Sequence, residues 1–462
     1  MGRIGNTLAV LAALAVWAAA PLAQAETLSD ALIAAYRNSN LLDQNRALLR
    51  AADEDVASAM ADVRPVVSFA LQSTYRNAEV TNFFGREFTT DSLNTAATLS
   101  WDLTLLDFGR DALAIEAAKE TVLATREALV DVEQRVLIAA VQAYVQTRLS
   151  QEIVALRESN VRLITQELRA ANDRFEVGEI TRTDVALAES RLAAARSELA
   201  VAQGDLLVAR ESYKAATGAY PGNLSALPPL PEIPKTLDEA QSVALRSHPI
   251  LRQAQHEVTV SDLNVARAEA EMRPSLSARA LVGVQQGGVE SESLTLSLNQ
   301  TIYAGGKLSA LYRRALAGRD ASRAALHQTA VTVAQNVGNA WSSLLVSSAS
   351  IVASDRQIVA AQTAFDGMRE EAKVGARTTL DVLNTEQDLL TAQATKLTAE
   401  ARRYFGVYVL MQALGLLTVG HLGLGIPTYD VSAYYNAVKG APATSAQGRK
   451  LDRVLQAIGG GN

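Results

Sequence analysis

The sequence predicts an α+β membrane protein in which long helical hairpins are tandemly duplicated and four β-strands are present per chain. Three observations lead there: internal repetition, period-two alternation in short stretches, and long proline-free runs with heptad spacing. Residues 27–65 align without a gap on 236–274, from "TLSDA" and "TLDEA" to a shared Arg-Pro. Further on, "EVGEITRTDV" (176–185) and "KVGARTTLDV" (373–382) repeat Val-Gly, Thr and Asp-Val at identical internal spacing, 197 residues apart.

The elements follow in order. Residues 1–25 read as a secretory signal peptide: Arg3, an apolar run from Leu8 to Ala20, and Ala23-Gln24-Ala25 as a cleavage site. No other uninterrupted apolar run is expected to reach the ~20 residues of a membrane helix. The first repeat is expected over 26–219, a Pro-rich linker over 220–235, the second repeat over 236–420 and a C-terminal tail over 421–462. Each repeat is expected to open on one helix of roughly 35 residues, ended by the residue before proline. Strands come next. Leu93, Ala97, Leu99, Trp101 and Leu103 alternate with Asn94, Thr98, Ser100 and Asp102, and Leu294, Leu296, Leu298 and Ile302 with Ser293, Thr295, Ser297, Asn299 and Thr301. The first repeat holds 12 extra residues between Pro65 and Leu99, expected as a longer loop that contains "FFGREF" (83–88).

Helices of ~70 residues, over about 108–177 and 305–374, are expected to be rods of ~105 Å. Each turns at the Val-Gly phrase and returns to Gly218 or Gly415. The returning helices carry seams: Val185, Leu192, Leu199 and Leu206 with Ala188, Ala195, Ala202 and Ala209, then Leu390, Ala394, Leu397, Ala401, Tyr404, Tyr408 and Met411. At the turns, Gly178 and Gly375 suit a left-handed helix end. Thr181 with Asp184, and Thr378 with Asp381, have capping-box spacing. A helical hairpin that needs these residues to fold accounts for the repetition by itself.

Net charge is −6 with interspersed signs, which speaks against a nucleic-acid partner, and there is no cysteine, hence no disulfide and no lipid-anchoring Cys. His248, His256, His327 and His421 are scattered without zinc spacing, so no metal site and no cofactor are expected, and no nucleophile motif suggests an enzyme. The strands leave two readings. An apolar and a polar face suit a membrane barrel, but four strands cannot close one, so several copies must share it. A soluble periplasmic scaffold or adaptor would instead pack the apolar face on its own helices.

The paired "TLxxA…RP" openings, the corners "LLDFGR" and "TIYAGGK", and the two Val-Gly phrases resemble the TolC family of outer-membrane efflux proteins, over roughly 27–420. The resemblance implies a homotrimer whose twelve strands form one barrel in outer-membrane lipid and whose twelve helices form a periplasmic tunnel. It implies an exit duct for drug efflux or type I protein secretion, opened on docking to a periplasmic adaptor and an inner-membrane transporter of the RND, ABC or MFS class. By the same resemblance the hairpin tips (Gly178, Thr181, Gly375, Thr378) contact the adaptor, and the second hairpin is the gate. Asp381 matches the family's first ring aspartate, Arg377 the gate arginine, and Asp184 the first-half aspartate linked to the closed state. This chain departs at Asn384, where the second ring carboxylate stands, at Ala372, the gate tyrosine position, and at Thr104 and Thr301, where the family often has proline.

Overall fold

The computed structural model describes residues 25–81, 83–440 and 453; the expected signal peptide, apart from Ala25, and most of the tail beyond 440 lie outside the described residues. Helices α1 (Leu28–Asn38) and α2 (Asn40–Asp62) lead into strands β1 (Val66–Thr81) and β2 (Glu87–Leu106). Helix α3 (Arg110–Glu176) and its return α4 (Arg182–Thr217) complete the first repeat. The second repeats the order: α5 (Leu237–Ser247), α6 (Pro249–Ala270), β3 (Ser275–Gln285), β4 (Val289–Asn299), α7 (Lys307–Lys373) and α8 (Thr379–Ala413), with a short α9 (Ala433–Val438) after it.

The single opening helix expected in each repeat is two. In the first repeat Ser39 leaves the helical region (φ −80°, ψ 105°), and its hydroxyl accepts from the Leu42 amide at 3.2 Å to start α2. In the second, Pro249 forces His248 into extended backbone (φ −67°, ψ 125°) and begins α6 where its missing N–H costs nothing.

The chain divides into two compact units. One takes in residues up to Asp43, Val130–His248 and Thr332–Thr428, and the other Gln44–Leu129, Pro249–Val331 and the chain from Tyr429. The long helices α3 and α7 contribute to both.

The first unit is helical. Alanine dominates its seams, letting helices approach closely. Val185, Ala188, Leu192, Ala195, Ala202 and Ala209 are buried along α4, whereas Leu199 and Leu206 are half-buried. On α8, Leu390, Tyr404, Tyr408 and Met411 are buried. Leu410 and Leu414 pack with Ala240, Ala244, Val333, Val337 and Ala340 in one buried cluster. Tyr144 and Tyr213 fasten Glu26, their hydroxyls donating to its carbonyl (3.0 Å) and its carboxylate. Glu26 in turn bridges backbone to Asn223 and Ser225 of the linker, so this Pro-rich joint is tied down at its start.

The second unit holds a single antiparallel sheet in the order β1-β2-β3-β4. Its register places Phe69 beside Leu99 and Leu99 beside Val282, with Trp101 beside Val67 and Ala280, and Ala280 beside Leu294. These share one apolar face, which also carries Leu71, Tyr75, Leu93, Leu296 and Leu298. The opposite face carries Ser68, Gln72, Ser100, Ser277, Ser293, Thr295 and the Asp102–Arg279 ion pair. Among the described residues nothing covers the apolar face: Phe69 is 70% exposed, Leu71 68%, Leu294 74% and Leu298 70%. A soluble sheet packed on its own helices would bury these side chains, so that reading fails. From Val67 to Tyr75 the band runs about 27 Å along the strand, close to the ~25 Å apolar belt of an outer-membrane barrel. Strands β1 and β4 are open edges, which lipid does not tolerate.

The 12 extra residues lengthen the first strand pair rather than a loop. Thr81 already faces Glu87, so the turn is short and Glu87 and Phe88 belong to β2. Residues 87–94 of β2 extend past the end of β3 and pair with 74–81 of β1. Phe83 and Phe84 meet edge-to-face at the exposed tip. At the other end, β4 stops at Asn299, so Thr301 and Ile302 lie outside the strand. Residues 108–109 and 305–306 all take positive φ, and the Asp107 carboxylate accepts from the amides of Gly109 and Asp111 to start α3.

No uninterrupted apolar run of membrane-helix length follows residue 25, but one helix comes close by average hydropathy. Helix α7 has no Asp, Glu, Lys or Arg between Arg323 and Asp355, and an 18-residue window reaches a mean hydropathy of 1.2 while only 6% of it is buried. Interspersed Ser, Gln and Asn break the apolar run, but Ala and Val keep its average high. Val331, Leu345, Val346 and Val352 are exposed along the charge-free stretch of α7, and Val359 just beyond it.

Candidate functional site

The two Val-Gly phrases build the same turn. At the end of α3, the amide of Gly178 donates to Phe175 O (3.0 Å) and that of Glu179 to Arg174 O (2.9 Å). At the end of α7, the amides of Gly375 and Ala376 donate to Ala372 O (3.2 Å) and Glu371 O (3.0 Å). This is the Schellman pattern, and its left-handed residue has φ 79° at Gly178 and 74° at Gly375. No neighbouring atom crowds either position, so backbone conformation, not space, calls for glycine.

The returning helices start on reciprocal boxes. Thr181 Oγ1 accepts from the Asp184 amide (3.4 Å), while Asp184 Oδ2 accepts from the Thr181 amide (3.0 Å) and hydroxyl (2.7 Å). Thr378 and Asp381 do the same at 3.2, 3.1 and 2.8 Å. The backbone and hydroxyl of Thr378, with Arg377 nearby, hold the Asp381 carboxyl below the usual carboxylate range. Asp381 therefore enters neutral solution as an exposed anion at a helix N-terminus. Thr378→Ala should cost about 1 kcal/mol of local stability. Faster amide exchange at residues 379–382 would register it, and unchanged exchange would show that the Gly375 turn alone sets the hairpin.

Around these turns the two hairpins are joined within the helical unit. Leu383 packs with Ala171 and Ala188 of the first hairpin. Ala372 is buried with Phe365, Val382 and Leu389, so it fills the seam of its own hairpin and reaches no polar partner. Arg377 donates through Nε to Glu371 Oε2 at 2.8 Å and so is engaged inside the second hairpin. Asn384 accepts from Arg191 Nη2 of α4 at 2.8 Å. Glu167 of α3 pairs with Arg369 of α7 at 3.3 Å.

Sequence reasoning missed Arg191, Glu167, Arg369, Glu371 and the buried pair Asn160–Glu386, because helix spacing does not say which residue of another helix it faces. A glutamate two places after Asn384, in an otherwise apolar seam, was the available signal. Among the described residues no group of three or more His, Asp or Glu side chains is placed to hold a metal ion.

An open four-stranded sheet with one lipid-type face, joined to long helical hairpins, is the protomer fold of an outer-membrane channel-tunnel. The chain belongs to the outer membrane efflux protein family, matching it over residues 31–219 and 241–416. The outer membrane efflux protein BepC of Brucella suis is 33% identical over 90% of this chain and 91% of its own. The alkaline protease secretion protein AprF of Pseudomonas aeruginosa is 25% identical over 61% of this chain and 63% of its own. Among solved structures, the Campylobacter jejuni CmeC outer-membrane channel superposes with a TM-score of 0.75 at 15% identity, covering 89% of each chain. The protein is thus an outer-membrane channel that extends into the periplasm, of a family whose TolC-like members are passive homotrimeric ducts working with adaptors and inner-membrane transporters.

Proposed function

We propose that three copies of this chain form the exit duct of an export machine carrying small toxic compounds, secreted proteins, or both. The observation that carries this reading is the sheet: one exposed apolar face, one polar face and two unpaired edges. Three sheets joined edge to edge give twelve strands, remove every edge, and put Ser100, Asp102 and Arg279 on a wet lumen. The exposed apolar surface of α7 is covered by the neighbouring copies. Transport needs no chemistry from the duct; substrate choice belongs to the inner-membrane RND, ABC or MFS transporter and its periplasmic adaptor, which docks on the turns at Gly178, Thr181, Gly375 and Thr378.

The second hairpin forms the periplasmic mouth, where three Asp381 carboxylates make an anionic ring. Carboxylates about 6 Å apart in water repel by only ~0.7 kcal/mol, too little to open the mouth by themselves. The ring serves as an ion filter. Asn384 supplies no second ring of charge, and Ala372 no tyrosine link, so closure rests on hairpin packing and on Arg191–Asn384. Asp184 holds the first hairpin's turn beside the mouth.

Reconstitution in planar bilayers tests this. The purified protein should conduct as a trimer and favour cations, and Asp381→Asn should reduce both cation preference and block by added divalent cations at the periplasmic side. A water-soluble monomer without conductance overturns the duct. Conductance with unaltered selectivity in Asp381→Asn overturns only the ring. Asn retains a capping oxygen, so the helix start survives the substitution.

A further inference from the structure

Glu386 of α8 is the least expected group in the helical hairpins. The residue is 3% exposed. Its Oε1 accepts from Asn160 Nδ2 of α3 at 2.6 Å, and its Oε2 is buried without a hydrogen-bond partner. Both residues line a cleft of about 230 Å³ together with Leu163, Phe365, Leu389 and Leu390. Helix α7 contributes Gln362 and Phe365 to this lining and no charge. The charged groups that act on Glu386 come from two other helices. Glu167 on α3, itself paired with Arg369 of α7, repels its carboxylate, and Arg191 on α4, which also donates to Asn384, attracts it.

A carboxylate accepts several hydrogen bonds and pays heavily for burial with one. A carboxylic acid is far cheaper to bury. Asn160 lies in the first hairpin and Glu386 in the second, so the protonation state bears on whether the hairpins stay together. We infer that Glu386 is a proton-sensitive latch on the periplasmic mouth: protonated, it keeps α8 seated on α3, and ionised, it draws water into the cleft and frees the second hairpin. This rests on the reading of the hairpin turns as the mouth.

Burial, reinforced by Glu167 and opposed by Arg191, pushes the Glu386 carboxyl up to about 7 in the packed arrangement. Once hydrated it returns toward its ordinary 4.5. The packed state holds the proton more tightly, so protonation favours closure fully below the hydrated value. That preference is lost progressively as pH rises, and is gone above about 7. Opening should therefore become roughly twentyfold more favourable between about pH 5.5 and pH 7.5.

The test is amide exchange of the full-length protein in detergent across that range, corrected for the intrinsic pH dependence of exchange. Protection over residues 379–395 should fall roughly twentyfold in the native protein and stay high throughout in Glu386→Gln, which mimics the protonated group. Arg191→Gln, which also removes the hydrogen bond to Asn384 and so lowers protection at every pH, should move the midpoint of the transition to higher pH and gives the answer if Glu386→Gln does not assemble. Flat protection in the native protein, or the same pH profile in the variants, overturns the latch. Bilayer recordings separate it from the duct reading. Open probability that follows pH in the native protein but not in Glu386→Gln ties the latch to the mouth. pH-dependent exchange without any conductance removes the duct and leaves the latch in the helical packing.

Discussion

Leu99→Arg is expected to abolish assembly in the outer membrane, whereas Ser100→Arg, one residue on, should be tolerated. Leu99 sits in the middle of the apolar face of β2, between Phe69 and Val282. Ser100 points to the other face, between Ser68 and Leu281. An arginine facing the bilayer midplane costs about 2–4 kcal/mol, and a closed barrel of three chains bears that cost three times. On the lumen side the same guanidinium stays in water. Trimer recovery from membranes, with refolding into vesicles as the equilibrium measure, should separate the two variants by at least the single-chain cost. Equal effects at both positions would mean that neither face meets lipid.

Leu410→Ala should destabilise the helical unit by about 2–5 kcal/mol. Leu410 is fully buried against Ala240, Ala244, Val333, Val337, Ala340 and Leu414. Three of its neighbours are alanines, which have no long side chain to swing into the space left behind. The void therefore stays open, and the cost belongs in the upper part of that range. The denaturant midpoint of the solubilised protein is the measurement. A loss below about 1 kcal/mol would show that α5 and α8 close over the gap, contrary to the alanine-limited packing.

Local signals carried the reading furthest where a residue type has one backbone use. Gly178 and Gly375 were legible because a left-handed helix end favours glycine. The Thr-x-x-Asp spacing was legible because its hydrogen bonds span three residues. Alternation in 93–104 was legible because a strand shows its faces every second residue. The reading went wrong where competing local interactions decide. The break at Ser39 comes from one hydroxyl reaching one amide, and that at His248 from a Pro-249 effect already used for the Arg-Pro ends but not applied here. The 12 extra residues could be loop or strand on composition. Only the pairing of Thr81 with Glu87 makes them a longer ribbon.

At the candidate mouth, the sequence alone determined the turns, their caps and the identity of the side chains that depart from the family, Asn384 and Ala372. These depend on contacts within a few residues. Tertiary structure decided what those side chains meet. Arg377 engages Glu371 in its own hairpin, Asn384 takes a hydrogen bond from Arg191, and Glu386 lies buried on Asn160 with one oxygen unpartnered. Heptad spacing says that a residue faces another helix but not which residue waits there, because sliding one helix along another by a turn keeps the seam and changes every polar partner.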